Sequence, residues 1–209
     1  MSLKDSYTAG VRRAVVPLAG RLVSSGHVTP NALTLGGLVL NVATVPLILT
    51  GHFIWAAVVL LLAGVCDMLD GAVARLTAQV TPFGAFLDST SDRLSEGVVL
   101  MAIGIWFARH GHYWDLAAVF IALMMSFLVS YTRARAEALG LECKVGLMSR
   151  PERIVVLGVG FAFAQFHLLI LTVVIYLLAV LTAATVIQRV LHVRRGLRAS
   201  TVAATSSGA

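Results

Sequence analysis

The residues best placed to do chemistry are four aspartates between positions 67 and 92. Asp67, Asp70, Gly71 and Ala74 fall at i, i+3, i+4 and i+7, the spacing of one helix face. Beyond a break at Pro82, Gly84, Asp88 and Asp92 repeat the pattern at i, i+4 and i+8. Two helices that each present two carboxylates beside small residues can approach closely and gather all four acids. The run Trp55–Cys66 just upstream carries no charge, so the acids sit at the end of an apolar stretch. An aspartate at the centre of a membrane helix costs roughly 2.5–3.5 kcal/mol. Two carboxylates about 4 Å apart add a repulsion of about 4 kcal/mol at an effective dielectric of about 20. Arg75 and Arg93 offset part of this. Hard divalent cations offset more, because four carboxylates balance two Mg²⁺ or Mn²⁺ ions charge for charge.

The elements that must position these acids are membrane helices. With 58% hydrophobic and only 12% charged residues and a mean hydropathy of +0.90, the chain departs far from a soluble average of about 25% charged. Its 209 residues suit one bundle. The reading is an all-α integral membrane protein with six transmembrane helices preceded by an N-terminal amphipathic interfacial helix. A bilayer core takes about 20 helical residues, and six segments approach that: 31–50, 53–76, 86–108, 113–136, 153–167 and 168–190. The fifth is short and carries Gly158 and Gly160. A single domain therefore spans 1–198, with the interfacial helix over 1–28, the six-helix bundle over 31–190 and a small polar tail over 199–209 expected to be disordered. In the first segment Lys4, Arg12, Arg13 and Arg21 are spread among Val11, Val15, Val16, Leu18, Leu22 and Val23. That suits a helix lying on a membrane rather than a cleavable signal with a compact apolar core. Cys66 reads as a packing residue, and Cys143 falls in a polar loop.

Charge placement sets the orientation. With six spans, every lysine and arginine except Arg109 lies on the side of the termini, so the termini and the acids face the cytoplasm of a multi-pass cell-membrane protein. Trp55, Trp106 and Trp114 fall near the outer interface, as an aromatic belt would. Counted from His52, Asp67 lies about 22 Å along its helix, a few ångströms inside the cytoplasmic edge of a core of about 30 Å. A lipid-linked donor can keep its tails in the bilayer with its headgroup at the acids, while a soluble acceptor arrives from the cytosol.

The string Asp67-x2-Asp70-Gly71-x2-Ala74-Arg75-x8-Gly84-x3-Asp88-x3-Asp92 resembles the signature of the CDP-alcohol phosphotransferase family without a departure. The resemblance extends over the whole chain, through the six apolar segments and the amphipathic N-terminus. It implies transfer of a substituted phosphate from a CDP-linked donor to an alcohol, with release of CMP. It further implies that Asp67, Asp70 and Asp88 hold two metal ions, Mg²⁺ or Mn²⁺, with Asp92 completing the second. Gly71, Ala74 and Gly84 leave room for the nucleotide, Arg75 pairs with donor phosphate, and Thr81 touches the nucleotide. Asn31 and Thr34 form the other wall of the cytidine pocket. From the residues alone, Gly71 and Ala74 also suit helix–helix packing, and Asn31 and Thr34 suit helix capping. Asp92 is the expected general base, with Asp88 the alternative.

The acceptor is read from the other cytoplasmic charges. Arg135 with Ser130 or Tyr131, plus Arg153 and Arg189, could converge on a phosphomonoester, which accepts bidentate bonds from guanidinium forks. Arginines at helix ends also anchor membrane topology. The runs Ser130–Glu137 and Arg150–Arg153 resemble the branch of the family that makes phosphatidylinositol phosphate in actinobacteria. That resemblance implies CDP-diacylglycerol and inositol phosphate as substrates, with Ser130, Arg133, Arg135, Arg153 and Arg189 at the acceptor. Arg194, Arg195 and Arg198 are assigned to the membrane surface. The alternative within the family is glycerol 3-phosphate as acceptor, giving phosphatidylglycerol phosphate. The alternative of another class is a divalent-cation transporter, which would call for polar groups continuing toward the outer face. A homodimer is implied by the resemblance, embedded in membrane lipid, and no nucleic-acid partner is expected.

Overall fold

The computed structural model describes residues 17–21, 23 and 29–206. Among them every regular element is helical. Residues 17–21 and 23 are helical, and most of the expected interfacial helix over 1–28 lies outside the described residues. From Pro30 on there are six helices: α1 (Pro30–Leu49), α2 (Phe53–Leu76), α3 (Pro82–Arg109), α4 (Tyr113–Ala138), α5 (Arg150–Ala164) and α6 (Leu169–Ser206). Among the described residues, four stretches are long and apolar enough to cross a membrane: α1, α2, α4 and Leu169–Arg198 of α6. The first half of α3 carries Asp88, Asp92, Arg93 and Glu96. With 15 residues, α5 is about 22 Å long, shorter than a bilayer core.

The chain forms two compact units, Met1–Val99 and Leu100–Ala209. In the first, α1 packs on α2. Thr29 caps α1 through its hydroxyl, which accepts from the Ala32 amide at 3.2 Å, and Pro30 opens the helix, where a missing N–H has no consequence. Buried Asn41 and Thr44 return hydrogen bonds to the carbonyls of Gly37 (2.9 Å) and Asn41 (2.6 Å), so neither leaves an apolar helix with an unsatisfied group. On α2 the residues Phe53, Ala56, Leu60 and Ala63 are buried at helical spacing, and the small ones allow close approach. Ala19 packs against Leu69, Ala72 and Val73 near the end of α2.

The turn that returns the chain from α2 to α3 closes with the Gln79 amide donating to the Ala74 carbonyl at 3.0 Å. Ala78 takes φ +55 between them, the left-handed position that glycine usually fills at a helix C-terminus. Thr81 then caps α3, its hydroxyl accepting from the Gly84 amide at 3.0 Å, and Pro82 opens the helix. Hence α3 begins at Pro82 rather than at the expected 86. The proline marks a first turn instead of a break.

In the second unit α4 and α5 pack on α6. Gly160 admits Val174, whose methyls would lie 3.0 Å from a Cβ there. Helix α6 continues to Ser206, further than the ordered chain expected to end at 198. No proline or glycine interrupts 199–206, so nothing in the backbone chemistry stops it. Trp55 and Trp114 are exposed, whereas Trp106 is buried with its ring stacked on His110 at 3.9 Å. Cys143, expected in a polar loop, is fully buried, because the loop 139–149 folds back onto α6.

Candidate active site

Helices α2 and α3 bring three of the four aspartates together. One carboxylate oxygen from each of Asp67, Asp70 and Asp88 lies within 4.8 Å of the other two. Asp70 is buried, and Asp67 and Asp88 are half-buried. Three hard oxygen donors at that separation fit a divalent cation such as Mg²⁺ or Mn²⁺. Asp92, one turn beyond Asp88, is not one of the three and is half-buried. Thr34 on α1 donates its hydroxyl to Asp70 Oδ2 at 2.6 Å, with both groups buried. This bond fixes which way the carboxylate presents its other oxygen, the part that an outer ligand plays at metal centres.

Beside the trio is a cavity of about 300 Å³. Every residue expected on the donor side lines it: Asn31, Thr34, Gly71, Ala74, Arg75, Thr81 and Gly84, with Asp70 and Asp88. The glycines have distinct reasons. A Cβ on Gly84 would lie 3.0 Å from Thr81 Oγ1 and 3.4 Å from Asn31 Oδ1, so the start of α3 meets the start of α1 only across a bare backbone. At Gly71 a Cβ would come 3.4 Å from Arg75 Nη1, so the guanidinium folds back over the glycine. Gln79 and Val80 also line the cavity. No sequence pattern marks them; they arrive because the left-handed turn at Ala78 folds the linker over the end of α2.

In the second unit the expected acceptor residues are divided. Arg135 and Arg189 line another cavity of about 350 Å³ with Tyr131 and Thr132, and its walls include Ala136, Leu139, Val190 and Val193. Ser130, Arg133 and Arg153 do not line it. Arg133 pairs with Glu137 at 2.8 Å, both half-exposed. Arg153 is 2% exposed and donates to the Met148 carbonyl at 3.3 Å. Arg189 is 4% exposed, with Nε donating to the Val145 carbonyl at 3.0 Å and Nη1 to that of Val129.

Residues 27–194 match the family model of the CDP-alcohol phosphatidyltransferases. The archaetidylinositol phosphate synthase of Methanothermobacter thermautotrophicus is 36% identical over 198 residues, 94% of this chain and 97% of its own length. The phosphatidylinositol phosphate synthase of Mycobacteroides abscessus is 38% identical over 188 residues, 85% of this chain and 82% of its own. Among solved structures, the Mycobacterium tuberculosis phosphatidylinositol phosphate synthase with CDP-DAG bound matches with a TM-score of 0.78 at 34% identity, over 87% of this chain and 94% of that one. The same enzyme in complex with manganese and citrate matches with a TM-score of 0.78 at 36% identity, over 86% and 88%. The chain therefore belongs to the CDP-alcohol phosphatidyltransferase family, as its aspartate signature implied.

Proposed function

We infer that this chain transfers the phosphatidyl group of CDP-diacylglycerol to inositol phosphate, giving phosphatidylinositol phosphate and CMP. The observation that carries the reading is the donor cavity, in which Asn31, Thr34, Gly71, Ala74, Arg75, Thr81 and Gly84 meet Asp70 and Asp88. The acceptor is supported by the relatives, whose names share inositol phosphate and differ in the lipid.

Asp67, Asp70 and Asp88 hold the metal in this reading, two Mg²⁺ or Mn²⁺ ions per site, with Asp92 completing the second. The chemistry such ions supply is neutralisation of the donor pyrophosphate and of the charge that develops on departing CMP. Thr34 holds the Asp70 carboxylate in place, and Arg75 pairs with donor phosphate. Asp92 takes the proton of the acceptor hydroxyl as that oxygen bonds to the lipid-linked phosphorus and the bond from phosphorus to the CMP oxygen breaks. Asp88 is the alternative base. Ser130, Arg133, Arg135, Arg153 and Arg189 bind the acceptor, with Arg135 and the buried Arg153 and Arg189 taking its phosphate. The setting is a cell membrane crossed six times behind an interfacial N-terminal helix, with termini and site cytoplasmic and the protein a homodimer.

The test is CMP release by the full-length protein with Mg²⁺, supplying CDP-diacylglycerol or CDP-archaeol as donor and inositol phosphate, inositol or glycerol 3-phosphate as acceptor. The reading requires turnover with CDP-diacylglycerol and inositol phosphate, lost in Asp92→Asn. Turnover confined to glycerol 3-phosphate would replace the acceptor, and turnover confined to CDP-archaeol would replace the lipid. No turnover with any pair, together with flux of divalent cations into sealed vesicles, would favour a transporter.

A further inference from the structure

The loop between α4 and α5 is laced along one face of α6. Thr185, Arg189, His192 and Gly196 follow one another at spacings of four, three and four residues, so they share that face. The loop meets them in reverse order. Leu141 lies against Gly196, where a Cβ would come within 3.2 Å of its Cδ2. The Glu142 carbonyl accepts from His192 Nε2 at 3.0 Å, and the Val145 carbonyl from Arg189 Nε at 3.0 Å. The Met148 amide donates to Thr185 Oγ1 at 3.1 Å. Cys143 and Met148, both in the loop, are buried. The register turns on Gly146, which has φ +135 and sits so near α6 that a Cβ would be 2.4 Å from Thr185 Cγ2. Only glycine meets both conditions.

This lacing bears on the two buried arginines. A guanidinium carries five N–H donors in a rigid fork, and in Arg189 the bonds to the Val145 and Val129 carbonyls engage two of them and set its plane. Arg153 is tied to the same loop through the Met148 carbonyl, one residue from the amide that Thr185 holds. The loop main chain thus supplies one of the two carbonyls that hold the Arg189 fork, the other being that of Val129 on α4, and a carbonyl that holds Arg153. A long side chain otherwise loses rotamer freedom when it binds an anion, and a fork already oriented loses less.

We propose that residues 141–148 act as a strap that pre-orients Arg153 and Arg189, with Gly146 and Thr185 as positioning residues for recognition of the acceptor's phosphate. The proposal rests on the reading of those arginines as acceptor ligands. It assigns Gly146 and Thr185 no contact with either substrate.

The test compares steady-state kinetics of the full-length protein in lipid for Thr185→Val, Thr185→Ser, Gly146→Ala, the double variant Gly146→Ala/Thr185→Ser, and Arg189→Lys. Valine cannot accept from the Met148 amide, whereas serine can and also lacks the methyl that faces Gly146. Thr185→Val is expected to raise KM for inositol phosphate about tenfold, as a buried donor left unsatisfied would. Its kcat and its KM for CDP-diacylglycerol stay within about twofold, and Thr185→Ser stays near the parent. Gly146→Ala raises the same KM, and the added Thr185→Ser recovers part of the loss. Amide exchange at 141–148 rises in Thr185→Val and not in Thr185→Ser. If Arg189→Lys raises KM for inositol phosphate while Thr185→Val matches Thr185→Ser, the strap is overturned and the arginine reading stands. If Arg189→Lys leaves that KM unchanged, the acceptor reading fails and takes the strap with it.

Discussion

In the unit ending at Val99, the charged groups of the site face a cavity, and a single hydroxyl, that of Thr34, braces a buried carboxylate. In the unit beginning at Leu100, Arg153 and Arg189 are more deeply buried, and the groups that orient them are main-chain carbonyls of Val129, Val145 and Met148. The carboxylates sit on helix faces, where spacing alone sets their direction. The arginines depend on a loop, whose direction is set by a glycine and a threonine distant in sequence. Helix faces thus present the carboxylates, while a folded-back loop, with one carbonyl of α4, holds the two arginines.

The sharpest way to break this comparison is at the trio. Asp88→Asn removes one of three clustered carboxylates and is expected to lower kcat by about three orders of magnitude, matching several kcal/mol of lost charge stabilisation. Titration with Mn²⁺ should show the metal affinity falling with it. If activity survives, the cluster is not the metal centre. Next in size, Thr34→Val removes the donor to Asp70 and should weaken Mn²⁺ binding about 10–100-fold, while Thr34→Ser preserves it. Equal losses in both would mean that Thr34 acts through its shape.

A smaller effect belongs to Gly84→Ala, whose methyl would press on Thr81 Oγ1 and Asn31 Oδ1. CMP affinity, read by calorimetry, should drop about tenfold, within the range for displacing polar groups around a ligand. Mn²⁺ affinity should hold, because the trio lies on other residues. The smallest is Ala78→Gly. Glycine at φ +55 relieves about 1 kcal/mol of left-handed strain, partly offset by the freer unfolded chain. Thermal unfolding should move up slightly with kinetics unchanged, and a loss of stability would contradict the turn as described.

How far the fold and site could be read in advance follows the same division. The helical segments were legible because long apolar runs have few other outcomes in a chain this hydrophobic. Asp67, Asp70 and Gly71, and then Gly84 and Asp88, stood out because they repeat at helical spacing, and all but Asp67 line the cavity. Three features were not legible. The bond from Thr34 to Asp70 joins residues 36 apart, and periodicity carries no information about which helices meet. The level of the cluster along the helices is the second: Asp88 and Asp92 share a face, and spacing does not say that the close trio includes Asp88. The loop 139–149 reads as polar from Glu142 and Lys144, which pair with each other at its surface, while Cys143 between them is buried. Single-residue alternation in a short loop gives no hint of the helix it will cover.

The central claim is tested most directly by the lipid product formed in competition. The full-length protein would be given CDP-diacylglycerol and Mg²⁺ with inositol phosphate, inositol and glycerol 3-phosphate at equal concentration, and the extracted lipids resolved by mass spectrometry. The account predicts phosphatidylinositol phosphate as the dominant product, with CMP released in equal amount. Dominant phosphatidylglycerol phosphate, or phosphatidylinositol made from the unphosphorylated acceptor, would contradict it.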